Sequence, residues 1–137
     1  VTGSDYSKLF LDLYREKYKN MEVDLLVLDA RTLNTSKTFD CIYSNKVLYH
    51  LTRKELRKSL NRQWNLLNEN GILFHSFWKG DKIENQNGLN FVYYTEEKLK
   101  KMIGDNFEIV DIDSYKEMED DDSLYIILKK ISVFKTN

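Results

Sequence analysis

His50, His75 and Cys41 are the residues of the types that move protons near neutral pH or hold a soft metal. Their spacing is not that of a metal site. His75 alternates inside an apolar run of strand length, which makes it a structural residue. His50 instead follows a predicted strand end, so it is a weak candidate for a general base toward an oxygen or nitrogen nucleophile. Packing at a helix start is the competing role. A second set of side chains is acidic or amide: Asp5, Asp29 and Asn45. Each falls at the end of a predicted strand, and in a doubly wound sheet ligands bind beyond the carboxyl ends of the strands. Trp78 lies just past another strand end and is a candidate substrate wall. Trp64 sits on an apolar helix stripe and belongs to the core.

The elements that must position these residues follow from hydrophobic periodicity. Val1–Asp5 reads as the end of a strand turning at Gly3-Ser4-Asp5. From Ser7 to about Lys19, Leu9, Phe10, Leu13 and Tyr14 share three- and four-residue spacing, which predicts an amphipathic helix packed through that face. Val23–Leu28 is almost wholly apolar, as expected of a strand covered on both sides. Phe39–Ser44 is the next strand. Thr52 and Glu55 have capping-box spacing, and Leu56, Leu60, Trp64 and Leu67 form one buried stripe behind them. That helix should stop near Asn70-Gly71, with the glycine in the left-handed conformation. Ile72–Phe77 is a third strand, and Lys79–Asn90 predicts a mobile loop. Thr95 caps a helix that ends at Gly104. Phe107–Ile112 and Leu124–Leu128 complete the series, with the acidic Glu117–Asp122 as a solvated turn between them. With no helix separating them, the last two strands should pair antiparallel. The fold class is α/β, a Rossmann-like and mostly parallel sheet with an antiparallel C-terminal pair.

Bulk properties narrow the partners. The chain has 137 residues and a formal net charge of −1, so it is one domain with no field favouring a nucleic acid or an anionic membrane. Its single cysteine forms no internal disulfide, which points to a reducing, cytoplasmic setting. No apolar run reaches the roughly 18 residues of a membrane span. The five glycines include no G-x-G before a helix, which argues against a nicotinamide-dependent oxidoreductase.

Several ordered segments resemble the class I S-adenosylmethionine (SAM)-dependent methyltransferases. Val1-Thr-Gly-Ser-Asp5-Tyr-Ser7 resembles the family's second-strand ending, and Leu28-Asp29-Ala30-Arg31-Thr-Leu33 its third. Phe39-Asp-Cys-Ile-Tyr-Ser-Asn45-Lys-Val-Leu-Tyr-His50-Leu51 is similar to the fourth strand and the turn beyond it. Leu66-Leu-Asn-Glu-Asn-Gly-Ile-Leu-Phe74 matches the helix-to-fifth-strand turn. Tyr94-Thr-Glu-Glu-Lys-Leu99, Asn106-Phe-Glu-Ile-Val110 and Tyr125-Ile-Ile-Leu-Lys-Lys130 resemble the C-terminal third. The family's first strand and glycine-rich loop have no counterpart. Together with a start at Val1 in the tail of a strand, this predicts a single methyltransferase-like domain over 1–137 that is a fragment.

The resemblance implies roles. Asp5 would accept from both ribose hydroxyls of SAM, which suits a group with two acceptor oxygens; capping the next helix is the alternative. Tyr6 would flank the adenine or stand half-exposed. Asp29 would accept from the adenine amine with the Ala30 and Arg31 backbone beside the ring, or serve as a turn aspartate. Ser44 and Asn45 would line the floor near the methionyl group, or simply form a strand-to-loop turn. The implied activity is methyl transfer to an unidentified, small-molecule acceptor. The alternative is a non-catalytic remnant acting as an interaction or structural subunit. Because the absent strand would lie mid-sheet, an upstream segment, a homo-oligomer or a swapped dimer is expected to fill the gap.

Overall fold

The computed structural model describes residues 1–132. Its elements run β1 (Thr2–Asp5), α1 (Lys8–Lys17), β2 (Asp24–Val27), β3 (Phe39–Asn45), a 3-10 turn (Leu48–His50), α2 (Arg53–Leu66), β4 (Leu67–Trp78), β5 (Ile83–Gln86), β6 (Leu89–Val92), α3 (Glu96–Met102), β7 (Phe107–Tyr115) and β8 (Ser123–Lys130). The fold is Rossmann-like α/β, and its strands fall into separate sheets. β1 pairs with β2 in parallel, with Asp5 opposite Val27. β3, β4, β8 and β7 form a second sheet in that order. There β3 and β4 are parallel, and β8 runs antiparallel to both β4 and β7. The terminal antiparallel pair expected from the missing crossover helix is therefore present.

The core lies on one face of the larger sheet. Leu73, Phe77, Leu124, Ile126 and Leu128 pack there against Leu56 and Leu60 of α2 and Leu99 and Met102 of α3. Period-two alternation puts these strand residues on one side. α2 starts where predicted: Thr52 Oγ1 accepts from the Glu55 amide at 3.1 Å, and Glu55 Oε1 accepts from the Thr52 amide at 2.9 Å. Thr95 caps α3 by accepting from the Lys98 amide.

Five expectations need correction. β2 forms from the Val23–Leu28 run, but Asp24 and Val27 are exposed, so the strand is not covered on both sides among the described residues. α1 forms, but Leu9, Phe10 and Leu13 are exposed and Leu11 is its buried residue. The helix rests on β1 and β2 through another side, and its larger apolar face meets no partner among the described residues. Lys79–Asn90 is not a mobile loop; β5 and β6 pair as a hairpin. Asn87 and Gly88 turn it with φ of 52° and 82°, the left-handed pair that a two-residue hairpin turn requires. α2 stops at Leu66 with Leu67 already extended, ahead of Asn70-Gly71, and the left-handed residue, Asn70 at φ 62°, lies within β4 and is not Gly71. Gly71 is needed for space, since a Cβ there would stand 2.8 Å from the Asn68 carbonyl oxygen and 2.9 Å from Leu67 Cβ. α3 ends at Met102, short of Gly104, with Ile103 already extended.

Candidate functional site

The expected site residues sit at the C-terminal ends of β1, β2 and β3. Asp5 closes β1, and its backbone carbonyl accepts from the Leu28 amide at 3.0 Å, holding the two strand tips together. Its Oδ1 accepts from the Ser7 amide at 2.8 Å, an Asx turn; the cap of α1 is Ser7, whose hydroxyl accepts from the Phe10 amide at 3.1 Å. Oδ2 makes no hydrogen bond among the described residues. Tyr6 beside it is 69% exposed.

Beyond β2 the chain makes a tight turn around Asp29. Its carboxylate accepts from the Arg31 amide at 2.9 Å, from Nε at 3.0 Å and from Nη2 at 2.7 Å. The Asp29 carbonyl accepts from the Thr32 and Leu33 amides. These side-chain bonds to Arg31 hold the Asp29 carboxyl below its ordinary range. The turn role is thus present, and any further donor would share oxygens already engaged by Arg31. Arg31 also faces Glu55 of α2 at 3.6 Å.

Ser44 and Asn45 are neighbours on a strand and so point to opposite faces. Asn45 Oδ1 accepts from Ser76 Oγ at 2.6 Å, and its Nδ2 has no partner among the described residues. Ser44 turns toward α2, with Oγ 2.6 Å from His75 Nδ1. The two side chains therefore do not share one floor. Asn45 opens instead onto a concavity of about 330 Å³ walled by Tyr43, Phe74, Tyr115 and Tyr125, with Ser76 and Glu117.

His50 is exposed and lies 2.9 Å from the Asn90 carbonyl through Nδ1. The carbonyl only accepts, so Nδ1 carries the proton and Nε2 is the free nitrogen. The ring packs between Tyr49, at 4.0 Å between centroids, and Phe91, at 5.2 Å, joining the 3-10 turn to the hairpin. Trp78 is half-buried, and the Lys46 ammonium lies 3.6 Å from its ring centroid. Lys46 also donates to Ser123 Oγ at 2.8 Å and to Glu117 at 2.9 Å, with its side chain only 9% exposed. Sequence reasoning gave this lysine no role. Its partner carboxylate is 71 residues away, and no local pattern links the two.

A family model described as a methyltransferase domain matches residues 1–71. The chain belongs to the methyltransferase-domain family. No curated protein sequence matches this methyltransferase domain, but solved structures do. A SAM-dependent methyltransferase from Methanosarcina mazei superposes with a TM-score of 0.80 at 16% identity, covering 96% of this chain and 82% of that one. The 1,6-didemethyltoxoflavin-N1-methyltransferase of Burkholderia thailandensis, solved with 1,6-didemethyltoxoflavin and S-adenosylhomocysteine, gives 0.79 at 18% identity over 96% and 61%. The N-methyltransferase NodS of Bradyrhizobium japonicum, solved with S-adenosyl-L-homocysteine, gives 0.72 at 16% over 96% and 66%. The chain thus spans less than two thirds of the length of the last two. These likenesses carry the class I methyltransferase fold, as the ordered sequence segments implied. Among the described residues no helix is long and apolar enough to cross a membrane.

Proposed function

We propose that this methyltransferase domain binds SAM across the tips of β1, β2 and β3 and serves methyl transfer to a small-molecule acceptor. The observation that carries the reading is the free Oδ2 of Asp5 at the tip of a parallel strand pair, beside the Asp29–Arg31 turn. The donor set fits an adenosine group. A carboxylate oxygen with nothing to accept from suits a ribose hydroxyl; the Ala30–Arg31 backbone would flank the adenine, with the Arg31 amide and the Ala30 carbonyl already bonded to Asp29 and Ser59. The unbonded Asn45 amide nitrogen suits a carboxylate or carbonyl of the methionyl end. Bound SAM would supply a methyl carbon made electrophilic by the adjacent sulfonium. The protein's own share would be alignment and exclusion of water. His50 Nε2 is the nitrogen able to take a proton from an acceptor.

The reading also requires a completed sheet. Among the described residues β1 pairs only with β2 and β3 only with β4, leaving two strand edges open. One further strand between them, from an adjoining segment or a second copy of the chain, would unite the sheets and satisfy those amides, each worth about 1–3 kcal/mol when buried unpaired. Native mass spectrometry showing a stable 137-residue monomer would contradict this requirement. The competing assignment is a non-catalytic subunit that keeps the fold, favoured by the Asp29 oxygens being engaged with Arg31. Calorimetric titration of S-adenosylhomocysteine into wild type and Asp5→Ala separates the two. Saturable binding weakened about tenfold or more by the substitution, the scale of a lost hydrogen bond to a charged group, supports the enzyme. Equal affinities would take Asp5 out of the cofactor site, and no binding to either, once native mass spectrometry shows the sheet completed, supports the subunit.

A further inference from the structure

The packed face of the larger sheet contains polar groups that packing alone does not call for. Ser59 is 0% exposed, His75 1% and Gln63 2%. They form one chain of hydrogen bonds. The Ser59 hydroxyl donates to the Ala30 carbonyl at 2.6 Å. Gln63 Nε2 donates to Ser59 Oγ at 3.0 Å. Gln63 Oε1 lies 2.6 Å from His75 Nε2, and His75 Nδ1 lies 2.6 Å from Ser44 Oγ. The proton positions follow from what each atom can do. Gln63 Oε1 only accepts, so His75 Nε2 carries the hydrogen. A neutral ring then leaves Nδ1 as acceptor, and the Ser44 hydroxyl donates to it.

The ends of this chain lie on separate sheets. Ala30 belongs to the turn after β2, and Ser44 to the tip of β3. No strand pairing connects those sheets among the described residues. Apart from this chain, Arg62 ties α2 to the same segment through the Leu33 and Thr35 carbonyls, at 3.1 and 2.8 Å. Apolar side chains of similar volume would fill the core at little or no loss of stability. What they would not do is fix a distance between two backbone segments.

We propose that Ser59, Gln63 and His75 are positioning residues, forming a buried relay that sets the Asp29–Arg31 turn against the tip of β3. That the crevice so shaped takes the adenosine end of SAM rests on the proposed function; the relay itself does not. All three are buried away from the surface. Each acts through Ala30 or Ser44.

Amide hydrogen exchange tests the relay in the whole chain, with Ser59→Ala cutting the bond to the Ala30 carbonyl and Gln63→Leu/His75→Leu cutting the link from α2 to β3. The reporters are the Arg31, Thr32 and Leu33 amides, all bonded to Asp29. The Lys98 and Leu99 amides, bonded to Thr95 at the start of α3, are the controls. Loss of one anchoring bond should speed exchange at the turn by about tenfold while the controls change about twofold or less. Ser59→Ala, which removes a single hydroxyl, keeps the test meaningful if the double variant fails to fold. Unchanged turn amides, or equal acceleration everywhere, would overturn the relay and leave these residues as ordinary core. Calorimetry with S-adenosylhomocysteine then separates the two readings. A loosened turn with weaker binding supports both, whereas a loosened turn with wild-type affinity keeps the relay and removes the cofactor from the crevice.

Discussion

Replacing His75 with glutamine should flatten the acid sensitivity of this domain. The His75 imidazole is fully enclosed, and burial pushes its pKa down from the ordinary 6.5 to about 3. In the unfolded chain the same ring takes up a proton as pH drops below about 6.5. Between these two values the unfolded state therefore holds more protons than the native state, so stability falls as pH falls through that window. At pH 5 the unfolded ring is about 97% protonated and the native ring almost wholly neutral, which amounts to about 2 kcal/mol relative to pH 7.5. Against a typical domain stability of about 5–15 kcal/mol this is a readily measured slope. Carboxylates held below their ordinary range, such as Asp29 and Glu55, lose their contribution mainly below pH 5 and cancel in the comparison. Urea unfolding of wild type and His75→Gln at the two pH values is the assay. Wild type should lose about 2 kcal/mol more than the variant on going from pH 7.5 to pH 5. Parallel losses in the two proteins would refute the argument, because the ring would then be titrating in contact with solvent.

Two further substitutions probe local structure. Thr52→Ala removes one half of the capping box of α2 and should cost about 1 kcal/mol in urea unfolding, while Thr52→Ser should cost little. Gly71→Ala drives a methyl group against the Asn68 carbonyl and the Leu67 side chain, and should cost about 1–3 kcal/mol and lower the melting temperature accordingly.

Periodicity carried most of the fold. The apolar run at Val23–Leu28, the Thr52 and Thr95 caps, and the absence of a helix pattern between the last two strands all mark real elements. What it could not show was partnership. The face of α1 bearing Leu9, Phe10 and Leu13 is correctly apolar, but spacing says only that such a face exists, not which residues cover it. The hairpin Ile83–Val92 hides behind polar composition, although Asn87-Gly88 is the strongest short signal for such a turn. At the site, Asp5 and Asn45 stand at strand tips with unbonded atoms, as strand-end placement implied. Ser44 does not join Asn45, an outcome contained in the two-residue alternation of any strand. The relay through His75, Gln63 and Ser59 was illegible, since it depends on which residues of α2 face β4. A histidine inside an apolar run indicated only a buried ring.

The central claim is that the tips of β1, β2 and β3 hold adenosine. Mapping backbone amide shifts by NMR as S-adenosylhomocysteine is added to the folded chain tests it most directly. The account predicts saturable shifts concentrated at Asp5, Tyr6, Ala30, Arg31 and Asn45, with the hairpin and α3 unmoved. Shifts clustered instead along the cleft between α2 and α3 that Arg57, Lys101 and Phe107 line, or no saturable shift anywhere once the sheet is completed, would contradict it.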